Sequence, residues 1–486
     1  MGIAPGGIAS LPPFPDPGVV QTLVSYKGTS NEWLSSQAAY PPGFGTVFVG
    51  WGAFCAEGLK DSNGNTILES AVAITDKLKQ GDTAGATAAW QQYIDLFGQT
   101  SFYGALFDIF TGTNGNKIPG NTAWTFSDFD KFGALGIGSG GFGPLYPVGF
   151  TEIMRLVINE LETSQNFLQV GIRSLPSTLV QQCSTQYPNN FALKLNTPIN
   201  LVSEYDLTKH ISTGFFLTGP TGSFGPYQRV IVATTTRSME MKTNITQFSS
   251  SAGTKSPLYT PQLSADTAEA VKRTHVVSSI KVAARIEKYW ANNPNATRVM
   301  LSDTAIQQIY TLDYGEPDTG VCFITYTWED NATKQQALGI SQAGGAVDPV
   351  ALYEGLLILL AEMGPGYAAF ASNLKPIGPG NILYADWQSA PYFSGAFKLS
   401  QPGQDPYVQT MFYDYQKCLT PNRDTGVYLA GDCLAWTSGW IEGGLQTALN
   451  AVAGVIISAG GTLNPDANGL TPLSINPTAY SYFPGT

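Results

Sequence analysis

The sequence predicts an α/β (α+β) fold whose domains share non-contiguous segments, and three observations carry that prediction. Stretches with the two-residue alternation of strands and stretches with helical spacing follow one another without a repeat period. The 486 residues exceed one ordinary domain and leave room for sizeable cores. A composition of 43% hydrophobic, 12% aromatic and only 13% charged residues, with 53 Gly and 31 Pro, describes a compact, loop-rich chain rather than a coiled coil or a disordered one.

Taken in order, residues 1–50 are rich in Pro and Gly, with a turn at Phe14-Pro15-Asp16-Pro17-Gly18 and a strand-like run from Val19 to Tyr26; they read as a linker and the start of a larger sheet domain. Residues 51–125 read as a helical subdomain. One helix is expected around 67–80 and another from Thr83 to Phe97, where Trp90, Tyr93 and Phe97 recur at helical spacing as core anchors. Residues 126–236 hold a glycine-rich segment, a helix from about 150 to 163, and the apolar strand Arg229-Val230-Ile231-Val232-Ala233-Thr234. Residues 237–420 form the mixed-sheet region, with strands expected at 275–287, 298–301 and 320–327 and a helix at 348–362. Residues 421–486 return to strand, turn and helix.

Charge and rare residues exclude several functions. A formal net charge of −11 offers no basic surface for nucleic acid or an anionic membrane. No run of about 18 uninterrupted apolar residues occurs, and the first residues have neither a basic nor an apolar leader pattern, so a soluble, cytoplasmic chain is expected. The 5 cysteines are scattered and lack CxxC spacing, which fits a reducing compartment better than a disulfide framework or a zinc site. With only 2 histidines, His210 and His275, chemistry is expected from a cofactor rather than from a His-based triad or metal.

The densest chemical signal is Gly426-Val427-Tyr428-Leu429-Ala430-Gly431-Asp432, followed by Gly439-Trp440-Ile441-Glu442-Gly443-Gly444. It reads as a short strand that breaks at Gly431-Asp432, a turn, and a helix over 440–457. A carboxylate at a strand end can hydrogen-bond a ribityl or ribose hydroxyl, and the open N–H groups of a helix start can face a polar ligand edge. For a flavin, that helix dipole would lie by the pyrimidine ring, where negative charge gathers on reduction. Gly136-Ile137-Gly138-Ser139-Gly140-Gly141 satisfies Gly-x-Gly-x-x-Gly literally, but Pro144 and Pro147 follow where a phosphate-binding helix should begin, so a tight turn or a close backbone approach to a ligand is expected instead.

The C-terminal segment resembles the FAD motif of the flavin amine oxidase superfamily, and nearly the whole chain is similar to the branch containing tryptophan 2-monooxygenase, phenylalanine oxidase and lysine 2-monooxygenase. That resemblance implies an FAD-binding domain built from discontinuous segments, 126–236 and 421–486, with a substrate-binding domain over 237–420 and the helical subdomain covering the entrance. It implies Lys281 as the lysine that holds a water near flavin N5, a residue that would otherwise be a snorkelling strand-edge lysine. Val232, Trp387, Gly431, Asp432, Trp440, Ile441 and Glu442 are implied as FAD contacts, and Gly439, Trp440 and Ala396 as substrate contacts. Trp387 can equally be a core residue, and Glu442 an ordinary first-turn acid.

The family's amino-terminal phosphate-binding glycines, ribose-binding acid and Gly-x-x-Arg-x-Pro-like motif find no match here. A separate small polypeptide carrying them, and hence a heteromer and further oligomer, is therefore expected. The carboxylate-clamping arginine is unassigned, since nothing in the spacing of Arg155, Arg173, Arg229, Arg237, Arg273, Arg285, Arg298 and Arg423 nominates one. The expected activity is oxidation of an L-amino acid by hydride transfer from Cα to flavin N5 with reoxidation by O2, giving a keto acid, ammonia and peroxide or, by oxidative decarboxylation, an amide. A cofactor-free scaffold and a monoamine or polyamine oxidase are the competing readings.

Overall fold

The structure, a computed structural model, describes residues 14–112, 123–135, 141–161, 171–203, 214–243, 263–339, 346–420, 424–466, 469 and 471–474. The chain opens with the hairpin β1 (Thr22–Tyr26) and β2 (Thr29–Trp33), then α1 (Gly45–Glu57), the small hairpin β3 (Leu59–Lys60) and β4 (Thr66–Leu68), and the helices α2 (Ala71–Lys79), α3 (Thr83–Phe97), α4 (Phe102–Thr111), α5 (Phe126–Leu135), α6 (Phe150–Ile158) and α7 (Ser174–Gln186). A three-stranded sheet of β5 (Leu201–Ser203), β6 (Phe215–Gly219) and β7 (Gly222–Tyr227) precedes β8 (Val230–Val232), α8 (Thr236–Met241) and α9 (Ala265–Arg273). Next come β9 (Val276–Val277), β10 (Ser279–Glu287), β11 (Val299–Ser302), β12 (Gln308–Leu312) and β13 (Thr319–Trp328), then α10 (Glu329–Gly339), α11 (Pro349–Glu362) and α12 (Pro365–Asn373). The chain closes with β14 (Ile382–Asp386), β15 (Phe397–Lys398), α13 (Asp405–Phe412), β16 (Val427–Leu429) and α14 (Ile441–Ser458).

The largest sheet is mixed and has seven strands in the order β14-β10-β13-β12-β11-β1-β2, with β1 and β11 parallel and the remaining pairs antiparallel. β1 and β2 therefore enter the same sheet as residues 279–386, and the helical layer begins at Gly45, earlier than the sequence suggested. Alternation in β10 sends Ile280, Val282, Ala284 and Ile286 to one face, where they pack with Leu352, Leu356, Leu360 and Phe370 of α11 and α12. A bulge at Val282/Ala283 shifts the register against β13, so that Phe323 and Tyr326, three residues apart, both come to the opposite face.

The helical layer is filled by aromatic rings. Trp51, Phe54, Trp90, Tyr93, Phe102 and Phe150 are all 5% exposed or less and form one core with the underside of the sheet. The expected Thr83–Phe97 helix has those bounds in the structure, capped by Asp82, whose side chain accepts from Gly85 N. The helix expected from 67 begins at Ala71 instead, because Leu68 is paired with Leu59 in the small hairpin and Ser70 caps the helix start.

Near the carboxyl end, β8 and β16 pair in parallel, Val230 with Val427 through Val232 with Leu429. The strand expected through Thr234 ends at Val232, since Thr235 turns the chain by accepting from Ser238 N to cap α8. α14 returns from β16 and packs back on it. Its 18 residues, with mean hydropathy 1.2, have the length and composition to cross a bilayer, the same composition that a helix needs to pack on a sheet. Here Thr447 and Asn450 on its inner face bond Gly431 and Phe412 O. Gly136–Gly140 of the glycine run lie outside the described residues.

Candidate functional site

A cavity of about 1090 Å³ opens between the underside of the large sheet, the helical layer and the start of α14. Cavities of several hundred to about 1,000 Å³ hold drug-sized ligands, so this one accommodates a large ring system together with a second molecule. Its floor is the sheet face that carries Ser279, Lys281, Tyr310, Phe323, Tyr326 and Trp328. Register explains the grouping: Ser279 pairs with Trp328, Lys281 with Tyr326 and Ala283 with Phe323, while Phe323 in turn pairs with Tyr310. One wall comes from α6, where Ile153, Leu156 and Val157 share a helical face. Opposite stand Trp387, Ala396, Phe397 and Leu399, and the roof is the turn from Asp432 through Ser438 and Gly439 into α14.

Among the described residues, Lys281 is the only lysine in that lining. Its Nζ lies 4.1 Å from the Tyr326 ring centroid, 5.7 Å from that of Trp387 and 5.9 Å from that of Phe323, and among the described residues it has no hydrogen-bond acceptor. Burial holds its pKa below the ordinary lysine value, because the ammonium loses hydration that the rings only partly replace. The result is an amine with free hydrogen-bonding capacity on an aromatic floor.

The roof joins a buried carboxylate to an open helix start. Asp432 follows the end of β16; its Oδ2 accepts from Gly439 N at 3.1 Å, and burial raises its carboxyl pKa, with that hydrogen bond and the Lys398 charge acting in the other direction. Trp440 is the N-cap of α14 in extended conformation and supplies no side-chain cap, which leaves the first-turn N–H groups to a ligand at the cavity edge. Gly439 adopts φ +82°, and a Cβ on Gly443 would come within 2.3 Å of Thr437 O, so both glycines are needed for this tight turn.

Of the residues implied by the resemblance, Lys281, Trp387, Ala396, Asp432, Gly439, Trp440 and Ile441 converge on the cavity. Val232, Gly431 and Glu442 are not part of its lining. Val232 is buried in the pairing with Leu429; Gly431 N donates to Thr447 Oγ1; Glu442 is exposed and accepts from Gln446 Nε2 in the next turn. Among the described residues no arginine lines the cavity. Sequence reasoning missed Tyr310, Phe323, Tyr326 and Trp328 as a set. The signal was available only in part, because the alternation of β13 is broken by its bulge.

Sequence comparison matches residues 6–456 to the family described as flavin containing amine oxidoreductase. The chain belongs to that family. FAD is its cofactor, and the residues at the cavity roof that could hold the flavin and ribityl part are Asp432 and the open N–H groups at the α14 start. The chain is 34% identical over 98% of its length to the tryptophan 2-monooxygenase of Pseudomonas savastanoi, of which it covers 80%, and 35% identical over 93% of its length to that of Pantoea agglomerans pv. gypsophilae, of which it covers 75%. A phenylalanine 2-monooxygenase precursor from a Pseudomonas species is 23% identical over 68% of the chain, covering 53% of that protein. Two solved structures share the fold: a redesigned putrescine oxidase at TM-score 0.55, 11% identity and coverage of 92% of this chain and 82% of that one, and cyclohexylamine oxidase from Brevibacterium oxydans at TM-score 0.51, 15% identity and coverage of 93% and 83%.

Proposed function

We propose that this FAD-dependent oxidoreductase oxidises an L-amino acid with an aromatic side chain and releases the corresponding amide. The observation that carries this reading is the open Lys281 amine on a floor of Tyr310, Phe323, Tyr326 and Trp328, facing the flavin-type roof at Asp432 and α14. The relatives named tryptophan 2-monooxygenase support it. The chemistry that FAD would supply when bound is two-electron oxidation of the substrate at Cα with O2 as the final acceptor, so that amino acid and O2 together would give amide, CO2 and water.

The residues of the chain do the rest. The aromatic floor and the α6 wall of Ile153, Leu156 and Val157 bind the apolar side chain and exclude water. Lys281, with its lowered pKa, holds a water by its free amine and can pass a proton through it when oxygen is reduced. Gly439 offers its carbonyl to the substrate amine, and Trp387 and Trp440 are walls beside the ring system.

The ADP half of FAD needs a glycine-rich strand-turn-helix, and none occurs among the described residues. We infer that a further polypeptide segment supplies it, adding parallel strands beside the two-stranded β8–β16 sheet.

The test is a visible spectrum of the protein, purified alone and with the products of neighbouring reading frames, followed by an aromatic amino acid screen with amide, keto acid and peroxide detection. Flavin bands with amide as product support the reading. Flavin bands with turnover of amines alone, or with keto acid alone, overturn it.

A further inference from the structure

Behind two of the cavity walls lies a cluster of four charged side chains that the reaction above does not use. Glu152 and Arg155, on α6, are each 2% exposed; Lys398, in β15, is 0% exposed; Asp405, the first residue of α13, is 5% exposed. Arg155 donates from Nη1 to Asp405 Oδ1 at 2.9 Å and from Nη2 to Asp405 Oδ2 at 2.6 Å, and Nη1 also reaches Glu152 Oε2 at 3.2 Å. Lys398 Nζ donates to both Glu152 oxygens, at 3.0 and 3.3 Å, and to Ser400 Oγ at 3.1 Å. Two cations meet two anions, so the cluster is neutral as a whole. The Arg155 guanidinium also lies 5.2 Å from the Trp90 ring of α3 and 4.7 Å from the Trp436 ring in the turn after β16.

Burying four charges is a poor way to gain stability. An apolar set of similar volume does as well or better, which leaves directional geometry as what such a cluster contributes. Its place in the fold says which geometry. On α6, Ile153, Leu156 and Val157 face the cavity while Glu152 and Arg155 face the cluster. On the β15 segment, Phe397 and Leu399 face the cavity while Lys398 points behind it. Lys398 then continues to the roof: its carbonyl accepts from Ser438 Oγ at 2.8 Å, and Ser438 precedes Gly439, whose N–H is held by Asp432. The α6 start is tied to the same segment by Gly149 N donating to Ser400 O at 2.8 Å.

We propose that Lys398 is a positioning residue for the reaction, the centre of a buried Glu152–Arg155–Asp405–Lys398 clamp that fixes the substrate wall of α6 against the flavin roof at Ser438–Gly439. The inference rests on the function proposed above, since alignment of those two surfaces matters only if substrate and flavin meet between them. Removing the clamp loosens that alignment without touching either ligand, and small displacements of reacting groups are costly to rate.

The experiment compares flavin-loaded wild type, Lys398→Met, the double variant Lys398→Met/Glu152→Leu, and Glu152→Gln. Thermal midpoint, visible circular dichroism of bound flavin, flavin dissociation, and KM and kcat on L-tryptophan are read for each. Lys398→Met leaves Glu152 short of a partner and is expected to melt lower, with KM raised about tenfold and an altered flavin dichroism. The double variant restores charge balance with apolar groups. It is expected to recover the midpoint to within about 2 °C yet keep the altered dichroism and raised KM. Should it prove unstable, Glu152→Gln, which keeps a hydrogen-bond acceptor for Lys398, is expected to shift both readouts in the same direction by about two- to threefold in KM. Wild-type dichroism and KM in the folded double variant, or in Glu152→Gln, overturn the clamp and leave the enzyme assignment standing. A wild type that carries flavin but never turns over an amino acid overturns both.

Discussion

Lys281 and Lys398 show how one side-chain type serves two ends within a single cavity region. Lys398 is surrounded by acceptors, whereas Lys281 has rings around it and no acceptor among the described residues. Replacing Lys281 by Met keeps its length and removes the amine. The expected outcome is a fall on the order of 10²-fold in the oxygen-dependent rate, with flavin retained and the thermal midpoint nearly unchanged, as measured by oxygen consumption against oxygen concentration. A rate within about twofold of wild type would remove Lys281 from the chemistry. His275 makes a second residue-scale case. Its Nε2 lies 3.2 Å from Glu329 Oε1 and its Nδ1 2.9 Å from Leu399 O. Burial lowers the imidazole pKa, but the Glu329 hydrogen bond and the Leu399 carbonyl outweigh it, and the net direction is upward. A group bound more tightly as the cation in the folded state contributes its stability below its unfolded pKa, about 6.5, and loses it as pH rises through the higher folded value. Urea midpoints of wild type should therefore exceed those of His275→Gln at pH 5.5 to 6 by more than they do above pH 8, and a gap that widens with pH would contradict the pairing.

At the scale of elements, the α14 start is the point of greatest constraint. Gly443→Ala puts a Cβ 2.3 Å from Thr437 O and 2.9 Å from Ala435 Cβ, so either the turn or the helix must shift. We expect a loss of about 1 to 3 kcal/mol by chemical denaturation, together with weaker flavin retention through gel filtration. Full retention at wild-type stability would show that the roof can yield. Sequence reading found this element because its signals are local: a strand, a Gly-Asp break, then an unbroken helical run. Likewise β10 and β13 were legible as strands over 275–287 and 320–327, and Pro349–Glu362 as a helix over 348–362. β12 was not legible, because Gln308-Ile-Tyr-Thr-Leu312 is buried on both faces and shows no alternation of polarity. The clamp was out of reach altogether. Glu152 and Lys398 are 246 residues apart, Arg155 and Asp405 250 apart, and no periodicity or spacing links positions so distant. The cavity floor lay between these extremes, since its strands could be found singly but not the register that aligns Lys281 with Tyr326.

For the molecule as a whole, no one stretch of sequence supplies the cavity, since each wall comes from a different one. Its floor comes from residues 279–328, its side wall from α6, its far wall from 387–399 and its roof from 432–445, so the core shared by the helical layer and the sheet's underside meets the roof packed on α14 at the cavity. A molecule that fills this space contacts all of them at once and binds only the folded chain. Linkage then requires stability to rise with free cofactor: at about 100 times the dissociation constant the gain is about 2.7 kcal/mol, and each further tenfold adds about 1.4 kcal/mol. Calorimetry of the stripped and the reloaded protein across a hundredfold range of free FAD should show the midpoint climbing steadily. It should also show the core under the sheet and the core of the roof at α14 melting closer together when loaded, because the ligand touches both. A midpoint that climbs while the two cores keep separate transitions would mean that FAD seats on the roof alone, against Asp432 and α14, without reaching the aromatic floor.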